Sequence, residues 1–272
     1  MCRWAAYLGS PIFLEDIISR PGHSLIAQSQ DAAECKTSTN GDGFGLAWYD
    51  QRPEPGLYRD VYPAWSDTNL RALARQVRSK LFLSHVRAST GSAISRNNCH
   101  PFAAGRWSFM HNGQVGGFEQ FRRYADMCVP DDLYHHRKGA TDSEILFLLA
   151  LKEGLDQDPL GALERAVAKM ESLSRSRGTT PHMRLSVAMS DGRKLYAARY
   201  SSDHIAPSLY YRWSNSRQGW AVVSEPLEQQ QEGWQQLPAG GFLTLTADGA
   251  DAGEAVTEFD PNRHEVDLNC PG

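Results

Sequence analysis

The N-terminus has no apolar run long enough for a signal peptide or a membrane span. Trp4 to Leu8 is cut short by Gly9-Ser10-Pro11 and then by acidic Glu15-Asp16, so the expected compartment is the cytoplasm. Cysteine is scarce: five residues, at positions 2, 35, 99, 128 and 270. They are odd in number, widely spaced and without a Cys-x-x-Cys pair, a pattern that argues against disulfides and a structural zinc site. An excess of basic charge is also lacking, since 28 Lys and Arg stand against 32 Asp and Glu for a net charge of -4. That balance gives no global electrostatic footprint for nucleic acid or an anionic membrane. Neither an internal repeat nor a low-complexity block is present. What remains is 272 residues at 41% hydrophobic content, enough for one large core or two small ones.

Hydrophobic periodicity predicts strands at both ends and helices between. Cys2 to Leu8 reads as a short strand. Gly43 to Tyr49 reads as a stronger one, with Phe44, Leu46 and Trp48 on one face and Gly45 and Ala47 on the other. Leu81 to Arg87 is a further strand, and Trp107 to His111 another, ended by the turn signal Asn112-Gly113. Asp67 is placed to cap a helix to about Val77, Thr141 or Asp142 to cap an apolar one to Gly154, and a third helix spans roughly Leu160 to Leu173. The polar stretch from Ser172 to Thr180 reads as a loop. Strands return at Met183 to Met189 and Leu195 to Tyr200, joined by Asp191-Gly192, then at Leu209 to Trp213, Trp220 to Ser224 and Gly241 to Thr246. This order predicts an α+β fold of antiparallel sheets packed against helices.

The opening Met1-Cys2-Arg3 carries the first chemical signal. If Met1 is removed, Cys2 bears both a thiol, of reference pKa near ~8.5, and an α-amine near ~7.7 to 8.0, which is a nucleophile and its base on one residue. Taken alone, a Cys at this position is more often an ordinary terminal residue than a catalyst. In company with later segments it is not: Asp42-Gly43-Phe44-Gly45, the run from His85 to Thr90, Asn98-Cys99-His100-Pro101-Phe102, His111-Asn112-Gly113 and Thr141-Asp142-Ser143-Glu144. Together and in this order they resemble the class II glutamine amidotransferase domain, a family of the N-terminal nucleophile hydrolases. The resemblance is strong over about the first 150 residues and extends loosely to Val222-Val223-Ser224-Glu225-Pro226 and the Leu237 to Thr246 run.

The resemblance implies a four-layer αββα sandwich of two antiparallel sheets, and a single domain over 1–272 with a weakly specified tail from about 258. It implies that Cys2 attacks an amide carbon and that the Asn112 side-chain nitrogen and the Gly113 backbone N–H hold the oxyanion. Arg87 would bind the substrate α-carboxylate and Asp142 its α-ammonium, with Thr90 and His100 around the same pocket. A guanidinium offers a carboxylate two parallel bonds where Lys offers a point charge. No cofactor and no metal are implied. The plain structural readings are a hairpin turn for Asn112-Gly113, an ion pair for Arg87 and a helix cap for Asp142. A metal site built from His85, Cys99, His100 and His111 is an alternative to packing and hydrogen-bonding roles for the same side chains. Arg3, next to the nucleophile, could lower its pKa, although neighbours on a strand face opposite ways.

The implied substrate is glutamine or another γ-glutamyl amide, hydrolysed through a thioester on Cys2. The chain length leaves no room for a synthase domain, so the ammonia is expected to go to a separate synthase subunit or to solvent. Ala88 directly follows Arg87 where sugar-phosphate-forming members often carry an aromatic residue. Met1-Cys2-Arg3 and the compact length are similar instead to stand-alone members, the γ-glutamyl hydrolases of ergothioneine synthesis. A catalytically silent scaffold with the same fold is the alternative from another class.

Overall fold

The computed structural model describes residues 2–34, 39–89, 91–228, 233–247 and 252–267. β1 (Arg3–Phe13) leads into α1 (Glu15–Ile18) and α2 (Leu25–Gln30). β2 (Phe44–Tyr49) and β3 (Gly56–Asp60) form a hairpin, and α3 (Thr68–Gln76) precedes β4 (Arg78–Val86). A second hairpin, β5 (Phe102–Ala104) and β6 (Trp107–Gln114), is followed by α4 (Phe118–Met127), α5 (Asp131–Tyr134), α6 (Asp142–Lys152) and α7 (Pro159–Arg177). Strands then take over: β7 (Arg184–Ser190), β8 (Leu195–Ser201), β9 (Tyr210–Ser214), β10 (Gly219–Val223), β11 (Gln235–Gln236), β12 (Gly241–Thr246) and β13 (Gly253–Glu258).

These strands form two antiparallel sheets, one in the order β11-β9-β10-β1-β4-β2-β3 and the other β13-β12-β8-β7-β6-β5. Three apolar clusters separate four layers. Trp4, Leu81, Leu83, Met110, Ala188 and Leu243 fill the space between the sheets. Ala5, Tyr7, Phe44, Leu46 and Phe82 pack the first sheet against α1, α2 and α3, and Phe109, Val187 and Phe242 pack the second against α4, α6 and α7. This is the αββα sandwich expected. Because a strand alternates sides, Trp4 and Ala6 look inward while Ala5 and Tyr7 look out. Both faces of the central strands are therefore apolar and buried.

The helices follow their caps. Asp67 accepts the Leu70 N–H at 2.6 Å to start α3, and Thr141, not Asp142, caps α6 by accepting the Glu144 N–H at 3.2 Å. Every residue from Ser143 to Ala150 is buried, since α6 is covered by the second sheet, by α4 and by α7. Each Leu or Ile so covered contributes roughly 1.5–3 kcal/mol. α7 starts at Pro159 behind the Asp158 cap and runs to Arg177. The Ser172 to Thr180 stretch expected to be loop is thus helical as far as Arg177, because Leu173 and Ser174 stay buried while Arg175, Ser176 and Arg177 take the outer face.

Two further expectations need correction. Asn112-Gly113 is no turn: β6 continues through Gln114, with Asn112 opposite Ser186 and Gly113 opposite Leu185 on β7. Cys128 is disulfide-bonded, against the expectation that no disulfide forms. Part of the segment after 258 packs on the second sheet and α7. Phe259 is buried, and Glu164 on α7 accepts from the Asp260 N–H at 2.8 Å and pairs with His264 Nε2 at 2.7 Å. No helix among the described residues is long and apolar enough to cross a membrane.

Candidate active site

The inward faces of β1, β4 and β6 converge at one end of the sandwich. Arg3 pairs with Val86 and Trp4 with His85, so Cys2 continues the register towards Arg87. The Cys2 thiol lies against the Ala88 backbone, with its sulfur 3.4 Å from the Ala88 N–H and 3.6 Å from the carbonyl oxygen. On β6, Met110 belongs to the inter-sheet core, which places Asn112, two residues on, on the face turned towards β1 and β4. His111 points the opposite way, to Ser143 Oγ of α6 at 2.8 Å.

Asn112 is 1% exposed, yet neither its amide nitrogen nor its amide oxygen has a hydrogen-bond partner among the described residues. A buried amide left in that state costs about 1–3 kcal/mol. Gly113 beside it is required by space: a Cβ there would run into the Arg184 carbonyl and His111 Nε2.

Arg87 is 3% exposed. Its guanidinium donates to the Asp42 carbonyl at 3.3 Å, to Ser89 Oγ at 3.1 Å and to Ser92 Oγ at 2.7 Å. The Asp42 carboxylate accepts the Ser89 N–H at 2.7 Å, so Asp42 supports the turn that encloses the arginine. Asp142 begins α6. Its carboxylate accepts the Val115 N–H at 2.8 Å and the Ser143 N–H at 2.8 Å, which ties α6 to the end of β6. Gly113, Asp142 and Ser92 line one cavity of about 300 Å3, together with Thr141, Thr179 and the segment from Gln114 to Gln120. Cys2, Arg87 and Asn112 are not lining residues; Arg87 reaches the wall through Ser92. Two larger clefts, of about 560 and 910 Å3, lie around Glu225 and along α4 and α5, away from these groups.

Arg3 faces outward. Its guanidinium lies 3.4 Å from the Glu225 carboxylate and donates to the Ser224 carbonyl at 3.2 Å, so this charge is spent on the outer layer rather than on the thiol. Glu225 is also met by His23 at 2.5 Å and by the Ala33 and Glu34 N–H groups. Burial would push its carboxyl up, but His23, the two N–H groups and Arg3 outweigh that and hold it low.

His100 packs at a tilt against His85, with ring centroids 4.3 Å apart, and against Phe102 at 4.5 Å. It is not among the cavity-lining residues, and Thr90 lies outside the described residues. Gly43, at φ +114°, and Gly45 let Cys99 and His100 come close, since a Cβ on either would strike the Cys99 sulfur or the His100 carbonyl. Burial pushes the Cys99 thiol up to about 11. Burial, with Arg87 and His111 nearby, drives His85 down to about 3, partly opposed by the His111 backbone. Burial and the neighbouring His85 lower His100 as well. Among the described residues, no group of three or more His, Cys, Asp or Glu side chains is placed to hold a metal ion.

The two histidines make acid stability testable. In the unfolded chain each takes up a proton near pH ~6.5, while in the fold each stays neutral. The folded pKa is depressed, so stability is full above about pH 6.5 and is lost as pH falls. The slope is roughly 1.4 kcal/mol per pH unit for each histidine. Urea unfolding between pH 7 and 5 should show this decline, and His100→Phe, which retains an aromatic ring against His85 and Phe102, should flatten it by about one proton. A pH-independent midpoint across that window would contradict it.

Sequence reasoning missed Ser92, Ser143 and the tie between Arg3 and Glu225. Only Glu144 left a local signal, the Thr-x-x-Glu spacing of a capping box. Its carboxylate accepts the Lys138 and Gly139 N–H groups at 3.1 and 2.8 Å and binds Arg137 at 2.7 Å, which fixes the loop leading to Asp142.

Comparison with known proteins gives the family. Residues 23–268 match the family model for class II glutamine amidotransferases; the match begins after Cys2. The probable glutamine amidotransferase DUG3 of Saccharomyces cerevisiae is 31% identical over 291 residues, covering 90% of this chain and 82% of its own. The gamma-glutamyl-hercynylcysteine sulfoxide hydrolase of Mycolicibacterium smegmatis is 29% identical over 241 residues, covering 88% and 92%. Among solved structures, a glutamine aminotransferase class-II domain protein from Silicibacter pomeroyi is 59% identical, covers 96% of this chain and 100% of its own, and superposes with a TM-score of 0.76.

Proposed function

The chain belongs to the class II glutamine amidotransferases, and from that premise we propose that it hydrolyses a γ-glutamyl amide through a thioester on Cys2, releasing glutamate. The observation that carries this reading is Asn112, a buried amide with no hydrogen-bond partner among the described residues, set on the face turned towards the Cys2 strand. Such an amide is a donor held ready for charge that develops only in the transition state.

In this reading the Cys2 α-amine, freed by loss of Met1, takes the thiol proton as sulfur attacks the γ-carbonyl. The oxyanion is held by Asn112 Nδ2 and the Gly113 N–H. Collapse breaks the C–N bond, and the amine leaves with the proton held on the α-amine. Water then attacks the thioester, giving glutamate and restoring the thiol. Arg87 and Asp142 hold the α-carboxylate and α-ammonium and so place the γ-carbon at the sulfur. With glutamine as substrate, the ammonia passes to a separate synthase subunit or to solvent.

A second reading for the substrate is an extended γ-glutamyl conjugate. It leaves the roles of Cys2, Asn112, Gly113, Arg87 and Asp142 unchanged and differs only in the amine that departs. It also fits the similarity to a gamma-glutamyl-hercynylcysteine sulfoxide hydrolase. Glutamate release from glutamine and from an extended γ-glutamyl thioether should be measured on protein shown by mass spectrometry to lack Met1, with no ATP or metal added. Preference for the conjugate supports the hydrolase reading, and preference for glutamine supports an ammonia-supplying subunit. Release from neither would overturn both in favour of a silent scaffold.

A further inference from the structure

The two groups assigned to the amino-acid head sit on separate elements, Arg87 just after β4 and Asp142 in the first turn of α6. Two-point recognition needs such groups held to within about 0.5 Å of the productive spacing. Nothing in the strand pairing does this directly, because both lie beyond the strand ends.

One side chain joins them. Asn98, in the single turn Arg96–Asn98, is 2% exposed. Its Nδ2 donates to the Ala93 carbonyl at 2.8 Å, and its Oδ1 accepts the Ala140 N–H at 2.7 Å. The Ala93 carbonyl also accepts from the Arg87 guanidinium, at 3.4 Å. Ala140 directly precedes Thr141, the cap of α6, and Asp142. Asn98 is itself fixed by its own N–H, which donates to the Ser95 carbonyl at 3.0 Å. It does not line the cavity that Asp142 and Ser92 share.

An amide suits this place because it presents a donor and an acceptor from one rigid plane. A carboxylate of the same shape would keep the bond to Ala140 but set a second acceptor against the Ala93 carbonyl. Buried networks of this kind act as units, and a half-satisfied one is costly.

We propose that Asn98 is a positioning residue, which sets the spacing between Arg87 and Asp142 and thereby the affinity for the α-amino acid head. This rests on the γ-glutamyl reading above. Because head contacts are made equally in ground and transition states, their loss raises KM and leaves kcat nearly unchanged.

The test compares two reagents for the Cys2 thiol, a γ-diazoketone analogue of glutamine, which carries the α-amino acid head, and iodoacetamide, which has none. For Asn98→Asp the expected result is a KM raised about tenfold and kcat within about threefold of wild type. Inactivation by the diazoketone should slow about tenfold, with iodoacetamide labelling unchanged. Asn98→Ser, which keeps one hydrogen-bonding group in less volume, should fall between the two. Equal slowing of both reagents in both variants, or a fall in kcat at constant KM, would overturn the proposal. If wild-type Cys2 reacts with iodoacetamide but not with the diazoketone, the γ-glutamyl reading fails and this inference fails with it.

Discussion

Cys2→Ala is expected to abolish glutamate release, by on the order of 10⁴-fold or more, while leaving the fold intact. The start of β1 is secured by its neighbours. Trp4 is fully buried, its backbone N–H donates to Ser224 Oγ at 2.9 Å, and Arg3 is held by Glu225. Removing one half-buried sulfur therefore costs little core. Protein that keeps Met1 should be equally silent for a different reason, because its thiol is present while its α-amine belongs to the wrong residue. The two cases separate by experiment. Iodoacetamide should label Cys2 in the Met1-bearing protein and not in Cys2→Ala, and an aminopeptidase that removes Met1 should restore activity to the first alone. Full turnover by material shown to retain Met1 would sink the proposed proton transfer.

How far the sequence foretold this site depends on the range of the interactions involved. Alternation of residue types was enough to place Phe44 and Leu46 on one face and Gly45 and Ala47 on the other, and the structure keeps that division, with apolar layers on both sides. Capping residues placed the starts of α3 and α6. The failures arose where a local signal competed with a distant partner. Asn-Gly is a strong turn signal, but pairing with β7 outweighed it and drew the dipeptide into β6. α4 was missed because Gly116-Gly117 reads as an interruption, although Phe118, Phe121 and Ala125 mark a buried face at helical spacing. Asn98 was visible only as part of a motif. Its partners, Ala93 and Ala140, lie on opposite sides of it in sequence, 5 and 42 residues away, and no periodicity encodes that pairing.

Asn112→Ala is expected to lower kcat by about 10²- to 10³-fold, corresponding to roughly 3 kcal/mol of transition-state stabilisation, with a much smaller change in KM. Its effect on stability should run the other way from most core truncations. A buried polar side chain usually costs several kcal/mol to delete because its hydrogen bonds are lost. Here the amide has no such bonds among the described residues, so removing it gives up only packing contacts and relieves a desolvated dipole. The melting temperature should therefore stay near that of wild type or rise, while activity collapses. That divergence is the mark of a group held for chemistry against the interest of the fold. Asn112→Asp sharpens the comparison: the carboxylate keeps the shape and loses the donor, so its activity should fall at least as far. Should Asn112→Ala melt well below wild type and keep its kcat, the side chain belongs to the packing of the sandwich, and the oxyanion must be sought at other donors.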